Sequence, residues 1–254
     1  SLGGSEGIGA ARDNFVGLGG DWGTVVLGRL STPLNNWLGS YDPTGQANYF
    51  KVNTVNTVYH TETRLNNAVA YVSPNWGGFE LAAMYAMDEV ERFTSGANKG
   101  QISPNYVPGM TDTNEQDAYG IGLQYKGGGF GAMYQFAAVA DLVDTHTVGL
   151  FYDFGVAKVT GTYFYHDIDG ANDEETAYSL GLAVPVGSGV ISAGWGQEKD
   201  VGGLADNDYN IYSIAYKHNL SKRTYLYAGF QRNEHDVRNG EEQDTFGVGV
   251  AHHF

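Results

Sequence analysis

The sequence predicts an all-β fold, a transmembrane antiparallel β-barrel with about 13 strands in this chain and about 16 in the intact protein. Three observations predict it. From about Asn14 onward, short segments alternate large apolar residues with small or polar ones, the period-2 signature of strands with two different faces. Tight turns alternate with long polar loops, the order in which bacterial barrels are built. Glycine (37) and tyrosine (18) are abundant and only 17% of the 254 residues are charged, against about 25% in soluble domains.

Taken in order, residues 1–12 have Leu2 and Ile8 as their main apolar members and are too polar to supply a strand. A first strand near 14–18 turns at 19–21 into a second, and a long loop over 31–63 follows. A tight turn at 74–78 precedes a long loop at 88–116. Further tight turns at 127–129, 154–156, 185–189 and 218–222 alternate with polar loops near 140–144, 167–175, 198–208 and 233–243. The alternation is clearest in three places. Tyr119, Ile121, Leu123 and Tyr125 stand against Ala118, Gly120, Gly122 and Gln124; Tyr178, Leu180 and Leu182 against Ser179, Gly181 and Ala183; Phe246, Val248, Val250, His252 and Phe254 against Gly247, Gly249, Ala251 and His253. In a soluble sandwich the polar face would carry many charges, whereas here the second face is mostly Gly, Ala, Ser, Thr and Gln. Aromatics such as Tyr71, Phe79, Tyr85, Tyr134, Tyr163, Trp195 and Tyr212 gather near strand ends, as interface girdles do.

An odd strand count makes the first and last strands run the same way, whereas neighbours that close an antiparallel barrel run oppositely. The expectation is therefore that an odd number of strands, three at the N-terminus, is absent from this sequence. No signal peptide is visible, which points to a processed or trimmed chain.

Other classes are excluded by composition. A mean hydropathy of −0.31 and the lack of a long apolar run exclude a helical membrane protein, because a helix needs about 20 apolar residues to cross. With no cysteine, disulfides and thiolate metal sites are unavailable. The net charge of −15 argues against nucleic acid as a partner.

Charges on the small-residue face would line an aqueous interior. Strand parity nominates Arg64, Glu80, Lys126, Asp153, Lys158, Lys217 and Arg223. For Lys126, Asp153 and Arg223, a place at a tight turn competes with the wall. Arg29 shares parity with Val25 and Leu27, so it reaches the interior only if the strand is bulged near Gly28 or those two residues also face inward. The acidic excess lies in loops, at Asp88, Glu89 and Glu91, at Asp167, Asp169, Asp173, Glu174 and Glu175, and at Asp206, Asp208, Glu241, Glu242 and Asp244. Solvated loop tips explain it best; the other reading is loop-bound Ca²⁺ bridging to lipopolysaccharide phosphates. No EF-hand fits residues 167–175, where the glycine comes too early and the twelfth-position Glu is missing. The seven histidines lack metal-ligand spacing, and no nucleophile–base set is marked. The expectation is no cofactor, no metal and no catalytic residue.

Residues 14–29 (Asn14-Phe-Val-Gly-Leu-Gly-Gly-Asp-Trp-Gly-Thr-Val-Val-Leu-Gly-Arg29), followed by Ser31-Thr-Pro-Leu34, resemble the hairpin that leads into the constriction loop of Gram-negative general porins. Asn67-Ala-Val-Ala-Tyr-Val-Ser-Pro-Asn-Trp-Gly-Gly-Phe79 resembles that family's next hairpin, and Gly247-Val-Gly-Val-Ala-His-His-Phe254 its closing strand. The resemblance implies one barrel domain over 1–254, a homotrimer of 16-stranded barrels in the bacterial outer membrane, and passive diffusion of ions and small hydrophilic solutes. It implies that residues 31–63, with Trp37, Asp42, Lys51, His60 and Glu62, fold inward and narrow the pore, and it tips Arg29 toward the channel wall. An acidic Pro-Glu-Phe-Gly-Gly type motif is missing from that loop, so ion selectivity does not transfer. Phe254, with Phe246, Val248, Val250 and His252 behind it, resembles the C-terminal signal read by the outer-membrane assembly machinery. A substrate-selective channel is the nearest alternative, and an outer-membrane barrel enzyme the runner-up from another class. The ion preference stays open between acidic loops outside and Arg29, Arg64 and Lys158 inside.

Overall fold

Alternation of small and large side chains produces one continuous sheet. The computed structural model describes residues 13–44, 50, 64–93, 113–139, 143–168, 174–200, 208–235 and 242–252. Within them lie strands β1 (Asn14–Gly20), β2 (Gly23–Ser31), β3 (Arg64–Val72), β4 (Phe79–Phe93), β5 (Thr113–Gly127), β6 (Phe130–Val139) and β7 (Val143–Asp153). They continue as β8 (Lys158–Ile168), β9 (Glu175–Val186), β10 (Gly189–Lys199), β11 (Tyr209–Asn219), β12 (Thr224–His235) and β13 (Glu242–His252). Every strand pairs antiparallel with its sequence neighbour, in the order β1 to β13.

The two faces separate as the pattern requires. On β5, Ala118, Gly122 and Gln124 are buried while Tyr119, Ile121 and Leu123 are exposed; on β7, Thr145, Thr147 and Gly149 are buried while Val148 and Leu150 are exposed. A soluble protein would bury the larger set. Here the apolar side chains point outward, the arrangement that lipid favours, and the small and polar set points inward. Tight turns occupy one end. At one of them Gly128 and Gly129 both hold positive φ (59° and 81°), as a two-residue hairpin turn of the primed type demands.

Two irregularities matter for the interior. The β2–β3 register shifts between Gly28 and Leu30, where Gly28 has φ 141° and Asn67 opposite has φ 40°. An extra residue in one strand resets which face the next side chains take, so parity does not carry across Asn67 to Arg64. The second is length. The β4 and β5 strands run well into the span 88–116 expected to be loop, pairing as far as Phe93↔Thr113. The edge strands β1 and β13 run in the same direction, so antiparallel closure of one on the other is not available to them. Residues 1–12 lie outside the described residues.

Candidate functional site: a segment seated on the inner wall

Just after β2 the chain turns inside. Thr32 caps a short helix α1 (Pro33–Leu38): Asn35 N donates to Thr32 Oγ1 (3.3 Å), and proline occupies the first turn, where its missing N–H costs nothing. The helix ends at Gly39, and Ser40 N and Tyr41 N donate back to the Trp37 and Leu38 carbonyls. Trp37, Leu38 and Tyr41 pack with Ala82, Met133, Phe164 and Ala177 of the inner wall, with Val72 and Phe151 at the margin. Burying each large side chain stabilises the docked segment by about 1.5–3 kcal/mol.

Polar contacts fix its position. Trp37 Nε1 donates to Glu80 Oε1 (3.1 Å), which also accepts from Gln124 Nε2 (2.8 Å). Lys126 Nζ donates to Ser40 Oγ (2.8 Å) and Lys158 Nζ to the Ser40 carbonyl (2.6 Å). Lys158 Nζ also lies 4.2 Å from the Phe151 ring centroid, a cation–π contact. Ser192 Oγ donates to the Pro43 carbonyl (2.8 Å), and Asp42 Oδ1 caps the following turn by accepting from Thr44 N (2.8 Å) and Thr44 Oγ1. Phe50 is fully buried against the glycines of β12 and β13. One segment thus touches the inner face from β4 to β13, which requires the sheet to curl around it. Burial raises the Tyr41 phenol above its ordinary pKa, and its hydroxyl finds no hydrogen-bond partner among the described residues.

Several expected wall residues meet here. Glu80, Lys126 and Lys158 hold the segment, and Asp42 is part of it. Lys217 stands on the inner face of β11 with its ammonium 5.6 Å from the Tyr225 ring centroid. A cavity of about 110 Å³ beside the segment is bounded by Asp42, Lys158, Ser192, Lys217 and Tyr227, among others. Others lie apart. Arg29 sits at the β2 irregularity on which its inward placement depended, its Nη1 donating to Asn66 Oδ1 (2.6 Å). Arg64 is tied to Asp13 (3.1 Å). Arg223 is exposed in the turn before β12, with its backbone N donating to Ser221 Oγ (3.1 Å), and Asp153 caps the turn at Gly155. Lys51, His60 and Glu62 lie outside the described residues, as do the acidic loop positions Asp169, Asp173, Asp206 and Glu241.

Of the closing strand, Phe246, Val248 and Val250 are exposed on the outward face; His252 contacts Thr224 Oγ1 through Nδ1 (2.8 Å), and Phe254 lies outside the described residues. Ser40, Tyr41, Pro43 and Ser192 were not singled out in sequence, although Thr32-Pro33 is a readable helix start. Glu175 and Glu198, read as loop residues, are instead buried at strand ends of the inner face, near the Thr145–His166 contact (2.9 Å).

The comparisons agree with this architecture. A family model described as Gram-negative porin matches residues 2–240. The chain is 31% identical to outer membrane porin protein 32 of Delftia acidovorans, over 99% of this chain and 76% of that protein. It is 25% identical to a monosaccharide porin of a Halomonas species, over 94% of this chain and 71% of that one. Among solved structures, an anion-selective porin from Comamonas acidovorans aligns with a TM-score of 0.74 at 26% identity, over 98% of this chain and 81% of its own.

Proposed function

Because the chain belongs to the Gram-negative porin family, we propose that its inward segment is the constriction of a channel that favours anions. The protein is an outer-membrane β-barrel porin through which solutes move down their gradients, so its activity is passage and not catalysis.

The observation that carries the anion reading is the pair of ammonium groups on Ser40. Each ammonium has three N–H donors, and Lys126 and Lys158 spend one apiece on the segment, leaving donors free for a passing solute. Lys217 adds a third positive charge to the same interior. Against these stand Glu80, whose Oε1 is occupied by Trp37 and Gln124, and Asp42, which is buried and turned to Thr44. Fixed charge in a narrow, partly dehydrated passage weighs more than the same charge on loops bathed in salt. The structural relative titled anion-selective supports this preference.

In the same reading the barrel stands in a homotrimer, as the family implies, surrounded by lipid and lipopolysaccharide. Phe246, Val248, Val250 and His252, followed in sequence by Phe254, are the run presented to the assembly machinery. Reversal potential of the intact protein in a planar bilayer under a potassium chloride gradient tests the preference. A potential on the chloride side supports it; one on the potassium side sinks it.

A further inference from the structure

We propose that five inner-wall glycines, Gly122, Gly149, Gly181, Gly229 and Gly247, set the aperture of the channel by letting the inward segment lie directly on the strand backbone. The proposal rests on the reading of that segment as the constriction.

Glycine weakens a strand and gives it no side chain to pack, so a glycine inside a strand marks a bulge or a close approach by another group. In this wall two kinds of approaching group recur. At Gly131 and Gly249 it is an aromatic of the neighbouring strand, Phe151 or Tyr227, lying across the gap. At the five seats it is the inward segment. A Cβ on Gly122 would come 2.7 Å from Trp37 Cζ3, and one on Gly149 would come 2.9 Å from Tyr41 Cδ1, although wall residues Gln135 and Met133 also crowd these two. At the other three the segment alone supplies the nearest atoms. A Cβ on Gly181 would collide with Pro43 Cβ, Cγ and Cδ; one on Gly229 or Gly247 would approach Phe50 to 2.8 Å. Real Cβ atoms do not tolerate separations under 3.0 Å.

The seats follow the segment in chain order. Trp37 meets β5, Tyr41 meets β7, Pro43 meets β9 and Phe50 meets β12 and β13. Adjacent strands lie about 4.8 Å apart, so the first three contacts step across the wall about 10 Å at a time. Polar pins lie among them, from Lys126 on β5, Lys158 on β8 and Ser192 on β10. The glycines therefore fix how far the segment stands from the wall, and the pins fix where it stands along it. A side chain at Gly181 lifts Pro43 and the Asp42–Thr44 turn into the open lumen.

The test is unit conductance of the full chain in planar bilayers for the parent, Gly181→Ala, Gly120→Ala and the double variant Gly181→Ala with Pro43→Gly. Gly120 is an inner-face control, because the nearest atoms to its Cβ would be Phe136 O and Ala137. The expected result is a fall of about twofold for Gly181→Ala, parental conductance for Gly120→Ala, and recovery when Pro43 is also removed. Heat-modifiable gel mobility shows that each barrel has folded. Unchanged or raised conductance in folded Gly181→Ala overturns the proposal, as does a failure of Pro43→Gly to restore it. A parent without conductance would instead overturn the channel reading, so the two failures are distinct.

Discussion

Lys158 Nζ donates to the carbonyl oxygen of Ser40 at 2.6 Å, joining the start of β8 to a segment 118 residues earlier in the chain. The bond does two things at once. It holds the segment against the wall, and it places an ammonium at the face of that segment.

Removing that charge separates the two roles. Lys158→Gln keeps a donor for Ser40 and is expected to move the reversal potential toward zero without changing unit conductance much. Lys158→Glu reverses the charge and is expected to move it further, past zero if this residue dominates. The measurement is reversal potential under a salt gradient, and equal values for both variants and the parent would show that selectivity is set elsewhere.

Trp37→Ala removes the largest side chain of the docked segment and leaves Glu80 without its indole donor. Truncation of a buried Trp costs about 3–5 kcal/mol. The segment is expected to detach part of the time, seen as noisy openings and as faster entry of larger sugars in liposome swelling. The folded barrel should persist, because no strand pairing involves Trp37.

Tyr41 carries a buried hydroxyl with no hydrogen-bond partner among the described residues, so Tyr41→Phe is expected to strengthen docking by about 1 kcal/mol. It also predicts a pH dependence. The docked phenol has a raised pKa, while the undocked one ionises near its ordinary value of about 10. Docking is therefore constant below about pH 10 and weakens above it, as the phenolate becomes available only to the undocked segment. Current noise that stays flat up to about pH 10 and rises above it in the parent, and not in Tyr41→Phe, would match.

Val248 lies on the outward face of β13 and is 84% exposed. Val248→Arg is expected to lower barrel stability by about 2–4 kcal/mol in lipid, the range for a cationic residue at mid-depth. Urea titration of the protein folded into liposomes measures it. A loss under 0.5 kcal/mol would place this face away from the lipid core.

The strands were legible because period-2 patterning survives in a single sequence, and the turns because Gly128 and Gly129 announce theirs. The same parity nominates Glu80, Lys126, Lys158 and Lys217, which stand beside the inward segment or the cavity next to it. Parity does not carry across the irregularity at Asn67 to Arg64, and Arg223 takes the turn that competed with the wall for it. The seat of the inward segment was not legible for a different reason. Gly181 and Pro43 are far apart in sequence, and nothing local to either says that they meet. Even so, the surplus of glycine on the inner face was a visible trace of what lies against it.

Because the described strands β1 to β13 pair with their sequence neighbours, each hairpin forms by closing a single connection, the longest of them over residues 32–63. The contacts from Ser40 to Lys158 and from Pro43 to Ser192 are another matter, with separations of 118 and 149 residues. Such contacts gain their reward only after the intervening strands are in place. Docking of the segment is therefore expected to come after the strands that carry Lys158 and Ser192 have joined the wall.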